Sequence, residues 1–226
     1  MVFHDASILF DLDGTLIDTA PDLLNALNHT LAHADCSPVQ REDINKLIGD
    51  GAKAMISAGL KMNDKTLSQN EESHLLNVFL LYYRDNIAVS SKLFEGVIDC
   101  LISLKRQNAK LAVCTNKMQD LSVKLLKELN LSDYFETIVG ADTLNVRKPH
   151  PGHILGTIDL VKGNSRRAIM IGDSINDIKA AQGANIPVVA VNFGYSAQPV
   201  ETYQPDAIIE HYNTLIPTIS KLLSDL

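Results

Sequence analysis

Short apolar segments alternate with amphipathic segments along most of the chain. Two of the apolar segments, 169–171 and 188–191, are apolar at every position, which is typical of parallel strands buried on both faces of a sheet. The pattern predicts these strands: Ser7–Phe10, Lys110–Thr115, Thr137–Val139, Ala168–Gly172, Pro187–Val191 and Ala207–Ile209. It predicts these helices: Val97–Gln107, Asp120–Leu129, His153–Val161, Ile175–Gln182 and Thr214–Leu223. The alternation favours an α/β fold in which helices cover both faces of a parallel sheet.

The region between the first two predicted strands departs from this alternation. Residues 18–90 show helical patterns and no convincing strand. Leu23, Leu27 and Leu31 recur at helical spacing. A polar stretch at residues 63–70 separates two halves of the region. We therefore predict a helical insertion that follows the first strand.

The charge balance narrows the classes of partner. The 226-residue chain has a formal net charge of -7, with 21% charged residues. A nucleic acid or an anionic membrane needs a basic face on its partner, so neither is expected here. If the substrate is itself an anion, lysines and a metal ion must create a locally positive pocket against this acidic background.

The cysteines and the apolar segments bear on the location of the protein. Cys36, Cys100 and Cys114 are widely spaced and form no CxxC pattern, so neither a disulfide framework nor a thiolate zinc site is indicated. Their use fits a reducing compartment. The first residues lack the pattern of a signal peptide, and no segment reaches the roughly 18 apolar residues of a membrane span. We expect a cytoplasmic protein.

Residues able to carry chemistry follow the predicted strands. The segment Asp11–Thr15 (DLDGT) follows the first strand, and Thr115 ends the second. Lys148 lies in a loop beyond the third strand, and the segment Asp173–Asp177 (DSIND) follows the fourth. Ligands of an open α/β sheet bind beyond the carboxyl ends of its strands. We therefore expect these carboxylates, the hydroxyl and the lysine to face one crevice.

The spacing of Asp11 and Asp13 suggests a shared task. Residues two apart at a strand end point to the same side, so the two carboxylates lie together. With Asp173 nearby they repel one another unless a cation lies among them, and Mg²⁺ suits a site of oxygen ligands only. One carboxylate can then attack phosphorus while another acts as general acid and base. Thr115 and Lys148 would add the positioning and positive charge that phosphoryl transfer requires.

The chain resembles the haloacid dehalogenase superfamily, whose four motifs occur here in order. The DxDGT motif is Asp11–Thr15, and the Thr or Ser that ends a strand is Thr115. The lysine often followed by proline is Lys148, and the GDSxxD motif is Gly172–Asp177. The resemblance covers the whole chain, and the helical insertion corresponds to the cap of that family.

The resemblance implies a Rossmann-like parallel sheet core flanked by helices, with an inserted all-α cap domain. It places the α/β catalytic core in residues 1–17 and 88–226, and the cap that selects the substrate in residues 18–87. Some finer features look like those of bacterial phosphoglycolate phosphatases, in the segments 16–23, 49–52 and 147–151.

The resemblance also implies roles for the motif residues. Asp11 is the nucleophile that becomes an aspartyl phosphate. Asp13 protonates the leaving alcohol and then activates water. The carboxylate of Asp11, the main-chain carbonyl of Asp13 and the carboxylate of Asp173 hold Mg²⁺. Thr115, the amide of Asn116 and Lys148 hold the phosphoryl oxygens, so the catalytic set is Asp11, Asp13, Thr115 and Lys148.

Other polar residues near the motifs receive lesser roles. Asp177 lies behind the metal ligands, and Ser174 is spaced from it as in a capping box. Lys117 is interpreted as a solvated neighbour of the phosphate-binding residues. A turn in the insertion, formed by Gly49, Asp50 and Gly51, is expected to face the substrate. Asp50 or Lys53 would then contact and recognise the leaving group. An ordinary interhelical turn explains the same sequence equally well.

Several functions stay open. The resemblance favours a Mg²⁺-dependent phosphomonoester hydrolase acting on a small phosphorylated metabolite, with 2-phosphoglycolate as the substrate it implies first, and the protein is expected to be a monomer or homodimer. A phosphomutase of the β-phosphoglucomutase type carries Val after the motif glycine, where this chain has Thr15, and another phosphatase or pyrophosphatase of the superfamily also fits. Dehalogenases lack the second aspartate, which is Asp13 here. A phosphoacceptor regulatory domain uses similar residues but has no helical insertion.

Overall fold

A six-stranded parallel sheet forms the centre of the molecule. The computed structural model describes residues 3–44 and 47–224. The strands in these ranges are β1 Ser7–Phe10, β2 Ile17–Asp18, β3 Lys92–Leu93, β4 Lys110–Cys114, β5 Thr137–Val139, β6 Ala168–Gly172, β7 Val188–Val191 and β8 Ala207–Ile209. The sheet has the order β5-β4-β1-β6-β7-β8 with every neighbouring pair parallel. β2 and β3 form a separate antiparallel pair.

Helices occupy most of the sequence between the strands. They are α1 Ala20–Ala32, α2 Arg41–Ile44, α3 Ala52–Met62, α4 Gln69–Asp85, α5 Val97–Arg106, α6 Gln119–Glu128, α7 Pro151–Leu160, α8 Ile175–Ala184 and α9 Leu215–Ser224. Short 3₁₀ turns lie at Ser132–Tyr134, Ser165–Arg167, Val200–Tyr203 and Tyr212–Thr214. None of the helices in the described part of the chain has the length and apolar character that crossing a bilayer requires.

The α/β fold expected from the sequence is confirmed. Each predicted strand is present, and their observed bounds differ from the predicted ones by no more than one residue. The largest differences among the predicted helix ends are two residues: α7 begins at Pro151 and not at His153, and α8 ends at Ala184 and not at Gln182. Pro151 occupies the first turn, where its missing N–H costs nothing, and the His150 side chain accepts a hydrogen bond from Gly152 N at 3.0 Å.

The sheet is buried on both faces, as the continuous apolar runs indicate. Successive side chains of β1 point to opposite faces, so Ile8 and Phe10 belong to one apolar cluster and Leu9 to the other. The helices α5, α6 and α9 cover the first face, through residues that include Leu101, Leu125 and Ile219. The helices α7 and α8 cover the second face, through residues that include Ile154 and Ile178.

The residues between β2 and β3 form the helical insertion. α1, α3 and α4 pack against one another, and a Cβ on Gly59 would lie 3.1 Å from Leu31 Cδ1, which shows how closely α3 approaches α1. The polar stretch expected to divide the insertion falls between α3 and α4. Ser68 caps α4 by exchanging hydrogen bonds with Glu71. The division of the chain into two domains at residues 17–18 and 87–88 stays a prediction.

The sheet order determines where the motif residues meet. β1 is the central strand between β4 and β6, and Phe10 pairs with Val113 on one side and Ile171 on the other. Asp11 N continues this pattern by donating to Ile171 O at 2.9 Å. The residues that follow these three strands therefore emerge side by side at the same edge of the sheet.

Candidate active site

Three buried aspartates form the centre of the site. One carboxylate oxygen from each of Asp11, Asp173 and Asp177 lies within 4.8 Å of the others. Burial raises the pKa of Asp11 to about 6; Lys148 opposes this rise, and the charge of Asp177 adds to it. Burial likewise raises the pKa of Asp173 well above its usual value, with Asp177 and Asp11 adding to the rise. Carboxylates this close together repel one another unless positive charge lies among them.

One oxygen of this cluster has a single positive neighbour. Asp11 Oδ1 is buried and lies 2.9 Å from Lys148 Nζ, and no other donor among the described residues reaches it. A carboxylate oxygen accepts more than one partner, so this atom has capacity left for a further positive group such as a metal ion. The donor set consists of oxygen atoms only, which fits Mg²⁺ and not zinc.

The two oxygens of Asp177 are already engaged. Oδ1 lies 2.5 Å from Lys148 Nζ, while Oδ2 accepts hydrogen bonds from Ser174 N at 3.0 Å and from Ser174 Oγ at 2.6 Å. Ser174 is the residue before α8, so the predicted capping contact between these two residues is present. Asp177 is therefore bound to the lysine and to the helix start, behind Asp11 and Asp173.

Lys148 supplies buried positive charge to the cluster. Its ammonium donates to Cys114 O at 2.6 Å and to Asp177 Oδ1 at 2.5 Å, in addition to the contact with Asp11. Burial alone would lower the pKa of Lys148, but the charges of Asp11 and Asp177 outweigh it and raise the pKa above its usual value. The lysine is therefore charged and fixed within the site.

Thr115 and Asn116 lie beside this lysine at the end of β4. Thr115 is buried, and its main-chain N donates to Val139 O at 2.9 Å. The side-chain amide of Asn116 donates to Lys148 O at 3.0 Å, so it holds the lysine loop. The other side-chain atom, Asn116 Oδ1, is buried without a partner in the described part of the chain.

Lys117 is not the solvated neighbour that the sequence suggested, and that interpretation is wrong. Its side chain is 5% exposed. The ammonium donates to Asp13 Oδ1 at 2.9 Å and Oδ2 at 3.0 Å, and to Tyr83 Oη at 2.8 Å. Asp13 also accepts from Thr19 Oγ1 at 2.7 Å. The side chain of Asp13 is thus held by groups that the motif comparison did not single out.

Asp173 is contacted by two further residues to which the sequence pattern assigned no role. Thr15 Oγ1 donates to Asp173 Oδ1 at 3.2 Å, and Tyr195 N donates to Asp173 Oδ2 at 2.6 Å. Glycines next to these two residues, Gly14 and Gly194, are the sequence feature that could have indicated a close contact with Asp173. A Cβ on Gly14 would lie 2.4 Å from Asp173 Oδ2, and one on Gly194 would lie 2.2 Å from Asp173 Cβ. No side chain fits at either position, so the backbone packs directly against the aspartate.

The turn expected in the insertion does face the motif residues. Gly49 and Gly51 have positive φ values of 122° and 89°, which glycine adopts at low cost. Between them, Asp50 Oδ1 accepts a hydrogen bond from Asn176 Nδ2 at 3.0 Å, and the same nitrogen lies 3.4 Å from Gly49 O. The turn is therefore bound to the start of α8, next to Asp173.

A cavity of about 620 Å³ lies between this turn and the edge of the sheet. Its floor contains the predicted site residues Asp11, Asp13, Thr115, Asn116, Lys148, Asp173 and Ser174. The insertion adds Gly49, Asp50, Gly51 and Lys53, and an apolar wall formed by Leu23, Met55, Leu76, Phe79, Leu80 and Tyr83. A ligand in the cavity would thus meet polar groups on one side and apolar side chains on the other.

Comparison with known proteins identifies the family. The sequence matches the haloacid dehalogenase-like hydrolases over residues 8–191. The chain belongs to this family. The family resemblance inferred from the four motifs is confirmed, and so is the fold.

Individual relatives define the class of enzyme. A phosphoglycolate phosphatase of Agrobacterium fabrum (strain C58) is 42% identical over 217 residues, covering 96% of this chain and 93% of that protein. A phosphoglycolate phosphatase of Mesorhizobium japonicum is 42% identical over 216 residues, covering 96% and 95%. The crystal structure of a predicted phosphoglycolate phosphatase from Haemophilus somnus 129pt has a TM-score of 0.90 at 29% identity, covering 96% and 98%. The chain is a phosphatase that acts on a small phosphorylated substrate.

Proposed function

We propose that this phosphatase hydrolyses 2-phosphoglycolate to glycolate and phosphate, with Mg²⁺, through an aspartyl-phosphate intermediate on Asp11. The observation that carries the mechanism is the buried Asp11 Oδ1, whose one partner among the described residues is Lys148 Nζ at 2.9 Å. Because no donor other than this ammonium reaches the oxygen, it is able to attack phosphorus, and the ammonium stabilises the charge of the incoming phosphoryl group.

The metal would be held by the carboxylates of Asp11 and Asp173 and by the main-chain carbonyl of Asp13. The close approach of Asp11 and Asp173, and the rise that burial causes in the pKa of both, support a divalent cation there. Asp177 and Ser174 would support the ligands from behind, since both oxygens of Asp177 are engaged. When bound, Mg²⁺ neutralises phosphoryl charge.

The chemical steps can be assigned to the residues of this chain. Asp11 Oδ1 forms a bond to phosphorus while the bond to the leaving oxygen breaks, and Asp13 gives that oxygen a proton. Asp13 then takes a proton from water, whose oxygen attacks phosphorus and frees the Asp11 carboxylate. Thr115, Asn116 and Lys148 would hold the phosphoryl oxygens, and the Lys148 donor that contacts Asp11 Oδ1 would turn to the phosphoryl group once Asp11 is bonded to phosphorus.

The substrate assignment depends on the relatives and on the insertion. Two relatives at 42% identity are named phosphoglycolate phosphatase. In this proposal residues 18–87 form the cap that selects the leaving group, with Gly49, Asp50 and Gly51 in contact with it, and residues 1–17 and 88–226 form the catalytic core. Cys36, Cys100 and Cys114 are all free thiols, which supports a cytoplasmic location.

The experiment measures phosphate release from a panel of phosphorylated metabolites, with Mg²⁺ and with EDTA. We expect selective release from 2-phosphoglycolate that EDTA abolishes. Asp11→Asn should remove it, while Asp159→Asn, an exposed exchange of the same kind on α7, should not. Selective release from another compound would replace the substrate and keep the mechanism, whereas full activity in EDTA would overturn the metal assignment.

A further inference from the structure

Lys117 has its hydrogen-bonding capacity fully used inside the protein. Its ammonium reaches both oxygens of Asp13, at 2.9 and 3.0 Å, and the hydroxyl oxygen of Tyr83 at 2.8 Å. It also lies 4.6 Å from the centre of the Tyr83 ring, a favourable position for a cation. An ammonium with these partners has no free donor to offer a substrate.

The main chain of Lys117 is as firmly placed as its side chain. Lys117 N donates to Thr115 Oγ1 at 3.2 Å, and Lys117 O accepts from Ala141 N at 2.9 Å. A Cβ on Gly140 would lie 2.8 Å from Lys117 O, so the loop after β5 packs directly on this peptide. The main chain that carries this lysine, just after β4, is therefore fixed in the position from which its side chain reaches Asp13.

The other contact of Lys117 comes from the helical insertion. Tyr83 lies near the end of α4 and is 1% exposed, and it packs beside Phe79 on the apolar wall of the cavity. Its oxygen accepts from Lys117, so a group on the insertion limits where the ammonium can sit. Asp13, Lys117 and Tyr83 thus form a continuous chain of contacts from the edge of the sheet to α4.

We propose that Lys117 is a positioning residue for the acid and base Asp13, and that the hydroxyl of Tyr83 fixes Lys117 in that position. The inference rests on the proposed function, because it takes the role of Asp13 from it. A general acid must stay within hydrogen-bond reach of the oxygen it protonates. The two contacts from Lys117, with that from Thr19, restrict the rotation of the Asp13 carboxylate.

This role has a signature that simple loss of structure lacks. An alkyl phosphate expels a strongly basic alkoxide and needs the proton from Asp13, whereas p-nitrophenyl phosphate expels a stable phenolate and does not. Misplacing Asp13 should therefore slow phosphoenzyme formation from the alkyl phosphate selectively. Lys117 lines the cavity, but its three donors are directed at Asp13 and Tyr83. Its replacement should therefore lower kcat and leave KM nearly constant.

The test compares Lys117→Met with wild type in single-turnover measurements of phosphoenzyme formation from both substrates. We expect a loss of about 10²-fold with 2-phosphoglycolate and less than about threefold with p-nitrophenyl phosphate. Lys117→Arg, which keeps the charge, should recover part of the rate. Lys127→Met, an exposed exchange on α6, is the matched control and should leave both rates unchanged.

Tyr83→Phe tests the second part of the inference without removing the buried charge. Loss of one hydroxyl should give the same selectivity at smaller size, about three- to tenfold for the alkyl phosphate. Tyr82→Phe, one residue earlier on α4, is the control. Since Lys117 is argued to act through Asp13, Lys117→Met combined with Asp13→Asn should cost no more than Asp13→Asn alone.

The outcomes separate this inference from the proposed function. Equal losses with both substrates, a raised KM with unchanged kcat, or additive losses in the double variant would each overturn the positioning role. Wild-type rates in Tyr83→Phe would remove the contribution of the insertion. A wild-type enzyme that releases no phosphate from any phosphomonoester would instead overturn the proposed function.

Discussion

The edge of the sheet and the helical insertion contribute to the same cavity in different ways. At the edge of the sheet, Asp11, Lys148 and Asp173 are buried; Lys148 and Asp173 are each held by several contacts, and Asp11 lies against Lys148. The turn of the insertion is held to that edge by hydrogen bonds from Asn176, a residue of α8, while the rest of its wall is mostly apolar. Most of the fixed polar contacts therefore lie at the edge of the sheet, where the chemistry is proposed. The insertion adds the hydroxyls of Thr19 and Tyr83 to them and otherwise forms an apolar wall.

The largest effect on activity is expected from a change at the edge of the sheet, at the proposed nucleophile Asp11. Asp11→Asn keeps the shape of the side chain but removes the attacking oxygen anion, so kcat should fall by at least about 10⁴-fold. The fold should survive, because the exchange also relieves repulsion from Asp173 and Asp177. Steady-state kinetics and thermal unfolding measure the two quantities, and retained turnover would contradict the assignment of the nucleophile.

The next effect concerns the buried charge beneath the nucleophile. Lys148→Met leaves Asp11 and Asp177 buried without their cation, and should lower the free energy of unfolding by about 3–5 kcal/mol. Urea unfolding at pH 7 measures the change, with Lys127→Met as the exposed control. Adding Asp177→Asn to Lys148→Met should restore part of the loss; if it restores none, the lysine is not stabilised by that carboxylate.

The third prediction concerns the pH dependence of stability that the buried His153 causes. His153 Nε2 lies 3.1 Å from Gly140 O, and burial, with a contribution from Lys148, lowers the pKa of His153 to about 4. Between about pH 6.5 and 4 the unfolded chain therefore binds a proton at His153 that the folded protein does not, and stability falls as the pH falls. The stability advantage of wild type over His153→Gln should shrink by about 2–3 kcal/mol over that range.

The control for this pH dependence is His74→Gln, because His74 is exposed on α4. Its stability difference from wild type should stay constant from pH 7 to pH 4. Both differences come from urea unfolding curves at each pH, so the titration of all other groups cancels. A constant difference for His153→Gln as well would mean that the imidazole is not protected from protonation.

The smallest effect is expected where the two regions meet. Asn176→Ala removes the hydrogen bond to Asp50, a partly exposed contact that contributes about 1 kcal/mol. We expect KM for the preferred substrate to rise about two- to tenfold with kcat nearly unchanged. Asn213→Ala, in an exposed 3₁₀ turn, serves as the control. A fall in kcat without a change in KM would show that this contact serves the chemistry and not the shape of the cavity.

The residues at the edge of the sheet were accessible from the sequence for a physical reason. A buried parallel strand is a short apolar run, and the residue after it must lie at the carboxyl edge of the sheet. Position along the chain therefore predicted position in space for Asp11, Thr115 and Asp173. Lys148 lies in a loop beyond the third predicted strand, so its place in the same crevice was expected from the sheet edge and supported by the family motif.

The contacts of Lys117 could not be read in the same way. Its partners Asp13 and Tyr83 are 104 and 34 residues away, and one of them lies on a helix of the insertion. α4 packs against α1 and α3, and its position relative to the sheet depends on many side chains at once, which no periodic pattern encodes. A lysine after a strand end looks identical in sequence whether its ammonium lies in solvent or against a buried carboxylate.

The central position of β1 has a consequence for how the protein is made. Ser7 pairs with Lys110 on one side and with Ala168 on the other, so β1 is synthesised before both of the strands that flank it. At about 5–20 residues per second, β6 leaves the ribosome roughly 10–30 s after β1. During that interval an apolar strand lacks one edge of its pairing, a condition that favours aggregation and the recruitment of chaperones. Because the proposed nucleophile follows a central strand, the nascent chain is prone to aggregation until the flanking strands have been synthesised.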